Sequence, residues 1–263
     1  MKRKVSKIAI FLYCIFFTGN SYADNSKVHA DKNSDVYLHV INLLFDSPKI
    51  DINNRLGFIW EPNHSESLNF NVSFDGMCHT KLDTILNFKN NSKEDCVIFV
   101  FKTQTYSNID GILEVRGCHF CTATISIAIF CKTGKDTLTL KAYSKHFTDS
   151  GLFGGDGKEG IGRFSIVKIE DELFLSLRRP IGGNNGYNYG IEDLYYIDGN
   201  ISCKTLGQLL SYEYYIEKNY NVKKYNLDLK ESTAECLKIK ANAGVKKEYF
   251  FNSGYCKFLE SVK

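Results

Sequence analysis

Cys118-His119-Phe120-Cys121 places two thiols and an imidazole within four residues. Three chemistries fit that spacing. A redox pair needs a thiolate stabilised at a helix N-terminus. The residues that follow, Thr122-Ala123-Thr124-Ile125-Ser126-Ile127, alternate as a strand, so a thioredoxin arrangement is not met. The second chemistry is half a zinc site, with Cys78-His79 as the other half. The third is a local disulfide that clamps the strand entry, the reading favoured for an even set of cysteines in an oxidising compartment. The order Cys-His-x-Cys excludes attachment of a c-type haem.

Gly155-Asp156-Gly157-Lys158-Glu159-Gly160 matches a dinucleotide fingerprint as a string only. That motif must open a helix, whereas Arg163-Phe164-Ser165-Ile166-Val167 reads as a strand, so the segment is expected to be a loop. Asp149, Asp156 and Glu159 lack the spacing of an EF-hand. With His146 they form the best acid–base cluster, since a general base and carboxylates on one loop are what a hydrolase uses. A solvated polar loop is the plainer reading. The six histidines show no helix-borne zinc motif, and no serine sits in a nucleophile-elbow string. No cofactor and no metal is expected.

The elements that must position these residues begin after residue 23. Lys2, Arg3, Lys4 and Lys7 precede an apolar run, Ile8–Thr18, and Ser21-Tyr22-Ala23 supplies small residues for a cut before Asp24. This is the pattern of a secretory signal peptide. Its removal changes the chain from 263 residues, +3 charge and nine cysteines to 240 residues, −1 and eight. A near-neutral chain has no bulk electrostatic pull on nucleic acid. The expected location is periplasmic or extracellular, with no membrane span after signal cleavage.

Phe, Tyr, Ile and Val are abundant and Pro and Met scarce, which favours sheet. Residues 24–34 read as a polar arm and 35–263 as a single β-rich domain, with a subdivision near 205–220 as the alternative. Asp35–Phe45 carries Val36, Val40, Leu43 and Leu44 on one helical face. Strands are expected at Leu56–Trp60, Leu68–Phe74, Val97–Lys102, Thr122–Cys131 and Thr137–Ala142. Further ones are Phe164–Ile169, Leu173–Leu177, Leu194–Ile197, Ile201–Leu206, Tyr225–Leu229, Leu237–Ala241, Tyr249–Phe251 and Tyr255–Leu259. Leu229–Ala243 would alternatively be a short helix. Asp198-Gly199 between apolar runs is a hairpin signal. The fold class is therefore mainly β: an antiparallel meander forming a curled sheet, a sandwich or an incomplete propeller, with one short N-terminal helix.

Ten of the twenty glycines lie in residues 151–190, and eleven of the fourteen tyrosines after the leader lie from Tyr187 onward. The two biases meet at Gly182-Gly183-Asn184-Asn185-Gly186-Tyr187-Asn188-Tyr189-Gly190. Tyrosine beside glycine and asparagine suits an adaptable recognition loop, which makes Asn184, Asn185, Tyr187 and Tyr189 the binding candidates. Tyr195, Tyr196, Tyr212, Tyr214 and Tyr215 read better as strand residues. All eight remaining cysteines are expected in disulfides. Proximity along the chain suggests Cys118–Cys121, Cys78–Cys96 and Cys236–Cys256, which leaves Cys131–Cys203.

Three features mark a resemblance: Cys118-His119-Phe120-Cys121 before a strand, Phe153-Gly154-Gly155 in a loop, and Gly183-Asn184-Asn185-Gly186-Tyr187. With the closing hairpin around Tyr249-Phe250-Phe251, they make residues 95–260 similar to uncharacterised exported bacterial β-rich proteins. The resemblance implies export and β architecture and carries no activity. The expected function is a non-catalytic binding or interaction protein, immunity-like or an envelope accessory, with a protein, peptide or glycan of the envelope as partner. The alternatives are an envelope hydrolase using His146 and a metal or thiol-redox protein at Cys118 and Cys121.

Overall fold

A strand buried on both faces needs an apolar run without polar interruption, and Cys96-Val97-Ile98-Phe99-Val100-Phe101 is one. The computed structural model describes residues 40–42, 44–45, 48–50, 57–62, 77–109, 112–115, 123–132, 138–149, 163–180, 188–200, 202–216, 225–241 and 246–261. Two units form, β1–β7 building one and β8–β15 the other.

In the first unit the strands are β1 (Lys49–Ile50), β2 (Gly57–Trp60), β3 (Met77–Lys89), β4 (Asp95–Ile109), β5 (Ile112–Val115), β6 (Thr124–Lys132) and β7 (Leu138–Asp149). They hydrogen-bond in the order β1-β2-β3-β4-β6-β7, with β5 paired to β4. The apolar run lies in β4. Val97, Phe99 and Phe101 pack in one cluster with Val40, Ile41, Leu44 and Phe45 of a short helix within 40–44 and the residue after it. Ile98 and Val100, which alternation turns the other way, are equally buried. In β6, Ala128 and Phe130 join the helix-side cluster, while Ile125, Ile127 and Ile129 are buried on the opposite face. That division matches the alternation read from the sequence.

The helix-side core is aromatic. The Phe45 ring lies 4.8 Å from Phe58, 5.3 Å from Trp60 and 5.6 Å from Phe101. A buried indole N–H needs an acceptor. Trp60 Nε1 donates to Thr80 Oγ1 at 2.8 Å, and Thr80 shares a second 2.8 Å hydrogen bond with Thr103. The Lys145 ammonium sits 4.2 Å from the Trp60 ring centre, a cation–π contact.

The second unit has two four-stranded antiparallel meanders. The first contains β8 (Arg163–Ile169), β9 (Glu172–Pro180), β10 (Asn188–Asp198) and β11 (Gln208–Ile216). The second contains β12 (Tyr225–Leu227), β13 (Cys236–Ala241), β14 (Lys246–Asn252) and β15 (Lys257–Glu260). One core joins them: Phe174, Leu194, Tyr196 and Tyr212 pack with Leu237, Ile239, Tyr249 and Phe258. Both sheets are antiparallel meanders, in line with the mainly β antiparallel fold expected from sequence. Glu170-Asp171 makes the tight β8–β9 turn, with Ile169 paired to Glu172 and Glu170 at φ 52°.

The strand expected at Leu237–Ala241 forms as β13 (Cys236–Ala241), and the alternative helix does not, because Leu237 and Ile239 alternate into the core. Three expectations are corrected. β3, thirteen residues long, has no counterpart in the sequence reading; its polar side chains dilute the alternation of Cys78, Thr80 and Leu82. Asp198-Gly199 does not close a two-residue hairpin. β10 ends at Asp198 and β11 starts at Gln208, and Leu206 N–H donates to the Tyr196 carbonyl at 2.7 Å across the longer connection.

The third concerns the cysteines. Cys96 bonds to Cys131, not to Cys78, and Cys131 is thereby unavailable to Cys203. Strand register decides this: Cys96 and Cys131 stand directly opposite on β4 and β6. Cys78, Cys203, Cys236 and Cys256 are thiols in this structure. Leu68–Phe74 and the Cys118–Cys121 pair lie outside the described residues. Among the described residues, no helix is long and apolar enough to cross a membrane.

Candidate functional site

The Gly/Asn/Tyr segment covers most of the connection from β9 to β10 and the first three residues of β10, and the outermost register pair of the two strands is Pro180 and Gly190. Two charged pairs lie just inside it, Arg178-Arg179 at the end of β9 and Glu192-Asp193 near the start of β10. Neighbouring residues on a strand point to opposite faces, so the two acids separate to two sides of the sheet.

Glu192 points to the side of the shared core. It stands opposite Arg178 on β9 and opposite Tyr212 on β11. Its Oε1 accepts from Ser176 Oγ at 2.6 Å. Its Oε2 accepts from Arg178 Nε at 2.7 Å and from the Tyr212 hydroxyl at 2.5 Å. Glu192 is buried, and a buried carboxylate must be paired and hydrogen-bonded. Burial and then the Glu192 charge push the Tyr212 phenol well above its ordinary range, so it remains a donor. For Arg178, burial works against the charge, but Glu192 outweighs it and the guanidinium is held above its usual value.

Asp193 is fully buried on the other face. Its Oδ2 takes Arg179 Nε at 3.0 Å and Nη2 at 2.6 Å, a forked guanidinium contact. Its Oδ1 takes Gln208 Nε2 at 2.8 Å. Both carboxylates are thus engaged by three N–H or O–H groups each, which tie β10 to its neighbouring strands.

A third buried acid, Glu172, caps the far end of the same strands. Its Oε1 accepts from the Asn200 backbone N–H at 2.7 Å. Gly199 has φ +150°, and a Cβ there would sit 1.9 Å from Glu172 Oε2. Glycine is required by both the backbone angle and the approach of the carboxylate.

No family model, curated protein or solved structure matches this chain. Its own geometry therefore carries the functional reading. Among the residues named from sequence, Tyr189 lies on β10 with its backbone paired to Tyr215. Asn184, Asn185 and Tyr187 lie outside the described residues, as do Cys118, His119, Cys121, Asp156 and Glu159. His146 is half-buried on β7, and the strand ends at Asp149. Tyr195, Tyr196 and Tyr212 are buried, in line with the strand reading of that region. Among the described residues, no group of three or more His, Cys, Asp or Glu is placed to hold a metal ion.

The two carboxylate networks were not anticipated from sequence. A usable signal was present: an Arg-Arg pair and a Glu-Asp pair on consecutive strands, either side of the Gly- and Asn-rich segment. In a hairpin, such pairs meet on both faces.

Proposed function

We propose that this chain is an exported interaction protein whose β9–β10 connection contacts a protein, peptide or glycan of the cell envelope. One observation carries the reading: the strands bearing this connection are locked on both faces by Glu192 and Asp193. A contact loop needs a scaffold that does not yield when it is loaded. Tyr187 and Tyr189 supply large contact area at small entropy cost, and Asn184 and Asn185 supply adaptable hydrogen bonding. The Cys96–Cys131 disulfide supports an oxidising compartment, in keeping with the basic and apolar leader.

The test is capture from envelope extract by the purified protein, run beside a Tyr187→Ala/Tyr189→Ala double variant. The expected outcome is a defined envelope component held by the wild type and held at least ~10-fold more weakly by the variant, a loss of one hot-spot contact. Circular dichroism melting should be unchanged. Equal retention by both proteins, or no retained component, defeats the proposal.

A further inference from the structure

Cys203 lies in the connection between β10 and β11, and Cys256 ends the turn between β14 and β15. These segments belong to the two different sheets of the second unit. Both side chains are half-buried and pack against the core that joins those sheets. Cys256 Sγ donates to the carbonyl of Ser202 at 3.3 Å, one residue from Cys203. The Cys256 thiol also bears on the ionisation of the Cys203 thiol, after burial. Cys236 lacks this relationship: it stands opposite Phe250, and the charges nearest its thiol are those of Glu248 and Lys238.

We propose that Cys203 and Cys256 form a second disulfide in the oxidised protein, tying the two sheets of the second unit together beside their shared core. The oxidant is a disulfide donor, either a disulfide-carrying oxidoreductase or oxidised glutathione. One cysteine thiolate attacks a donor sulfur, the donor S–S bond breaks, and a mixed disulfide forms. The second cysteine thiolate then attacks the protein sulfur of that mixed disulfide and displaces the other donor thiolate. The protein loses two electrons and two protons, and the donor gains them as two thiols. Burial, and then the Cys256 thiol, push the Cys203 thiol up to about 12. Cys256, at the end of an exposed turn, makes the first attack and Cys203 resolves it. This inference does not depend on the binding role of the β9–β10 connection.

The test uses the full chain exported to an oxidising compartment, alkylated under denaturing conditions and digested without reduction. Mass spectrometry should find Cys203 and Cys256 peptides joined and two hydrogens lighter than their thiol forms, alongside the Cys96–Cys131 pair as control. Alkylation of both Cys203 and Cys256, or linkage of either to Cys236, overturns the proposal. A second measurement covers variants that fold poorly. Cys203→Ala, Cys256→Ala and the double variant should all melt about 5–10 °C below the oxidised wild type and close to one another, as loss of one cross-link requires. Additive losses in the double variant would mean two independent thiols and would also overturn it.

Discussion

Arg178 and Glu192 face each other as directly opposed residues of β9 and β10, with the guanidinium Nε 2.7 Å from the carboxylate Oε2. One step along each strand, Arg179 and Asp193 repeat the pairing on the opposite face. Both acids are buried, but the two cations differ: the Arg178 side chain is 41% exposed and that of Arg179 only 12%. The Asp193 pair is therefore less screened by solvent than the Glu192 pair.

That difference predicts unequal costs. Arg179→Ala leaves a fully buried carboxylate with Gln208 alone and should cost about 3–5 kcal/mol. Arg178→Ala leaves Glu192 with Ser176 and Tyr212 and opens it towards water, and should cost about 1–2 kcal/mol. Urea denaturation of both variants checks the order. A larger loss for Arg178→Ala would show that burial does not set the hierarchy.

A prediction for Gly199 follows from its approach to Glu172. Gly199→Ala puts a Cβ on the Glu172 carboxylate, at a backbone angle that L residues rarely adopt. The loss should be about 2–3 kcal/mol. Glu172→Ala alone forfeits the hydrogen bond to Asn200 but removes the obstacle. The double variant should then be less destabilised than the sum of the singles by about 1 kcal/mol or more. Strict additivity in this cycle would mean that the clash relaxes elsewhere.

Much of the fold was legible because local pattern and burial agree. The apolar run of β4, the alternation of β6, the Glu170-Asp171 turn and the Val40/Leu44 face each serve one core and say so over a few residues. β3 was hidden because its Lys81 and Asp83 lie among core residues and break the apolar count. The connection after Asp198 was misread because a glycine that gives way to a buried carboxylate looks, in sequence, like a glycine in a tight turn. Disulfide partners were illegible in principle: Cys96 and Cys131 meet through strand register across thirty-five positions, while Cys78 is nearer in sequence. The charged networks are long-range in the same way, since Tyr212 reaches Glu192 from a third strand.

The Trp60–Thr80–Thr103 chain gives a spectroscopic prediction. Trp60 is the one tryptophan of the chain, so its emission reports on this core alone. Thr80→Val keeps volume but removes the acceptor of the indole N–H and the partner of Thr103. Leaving two buried polar groups unmade should cost about 2–3 kcal/mol. The fluorescence unfolding midpoint should therefore fall in Thr80→Val relative to the wild type. An unchanged midpoint in Thr80→Val would show that the indole N–H finds another acceptor at little cost.

Asp83 supplies the pH dependence. Burial, opposed by the Thr84 hydroxyl and the Lys102 charge, raises its carboxyl above the ordinary value of 3.8. Burial likewise lowers Lys102, against the pull of Asp83. A carboxyl raised on folding binds its proton more tightly in the native state than in the unfolded chain. Its favourable contribution is complete below 3.8 and is lost as pH rises through the raised native value. At neutral pH the buried charge therefore opposes folding. Asp83→Asn cannot ionise, so its stability relative to the wild type should improve steadily from about pH 3 to about pH 7. Lys102→Met removes the opposing charge and should steepen the wild-type carboxyl's penalty over the same interval. Urea midpoints for the three proteins across that range decide the matter. A flat difference between Asp83→Asn and the wild type would mean that Asp83 keeps the same proton affinity folded and unfolded.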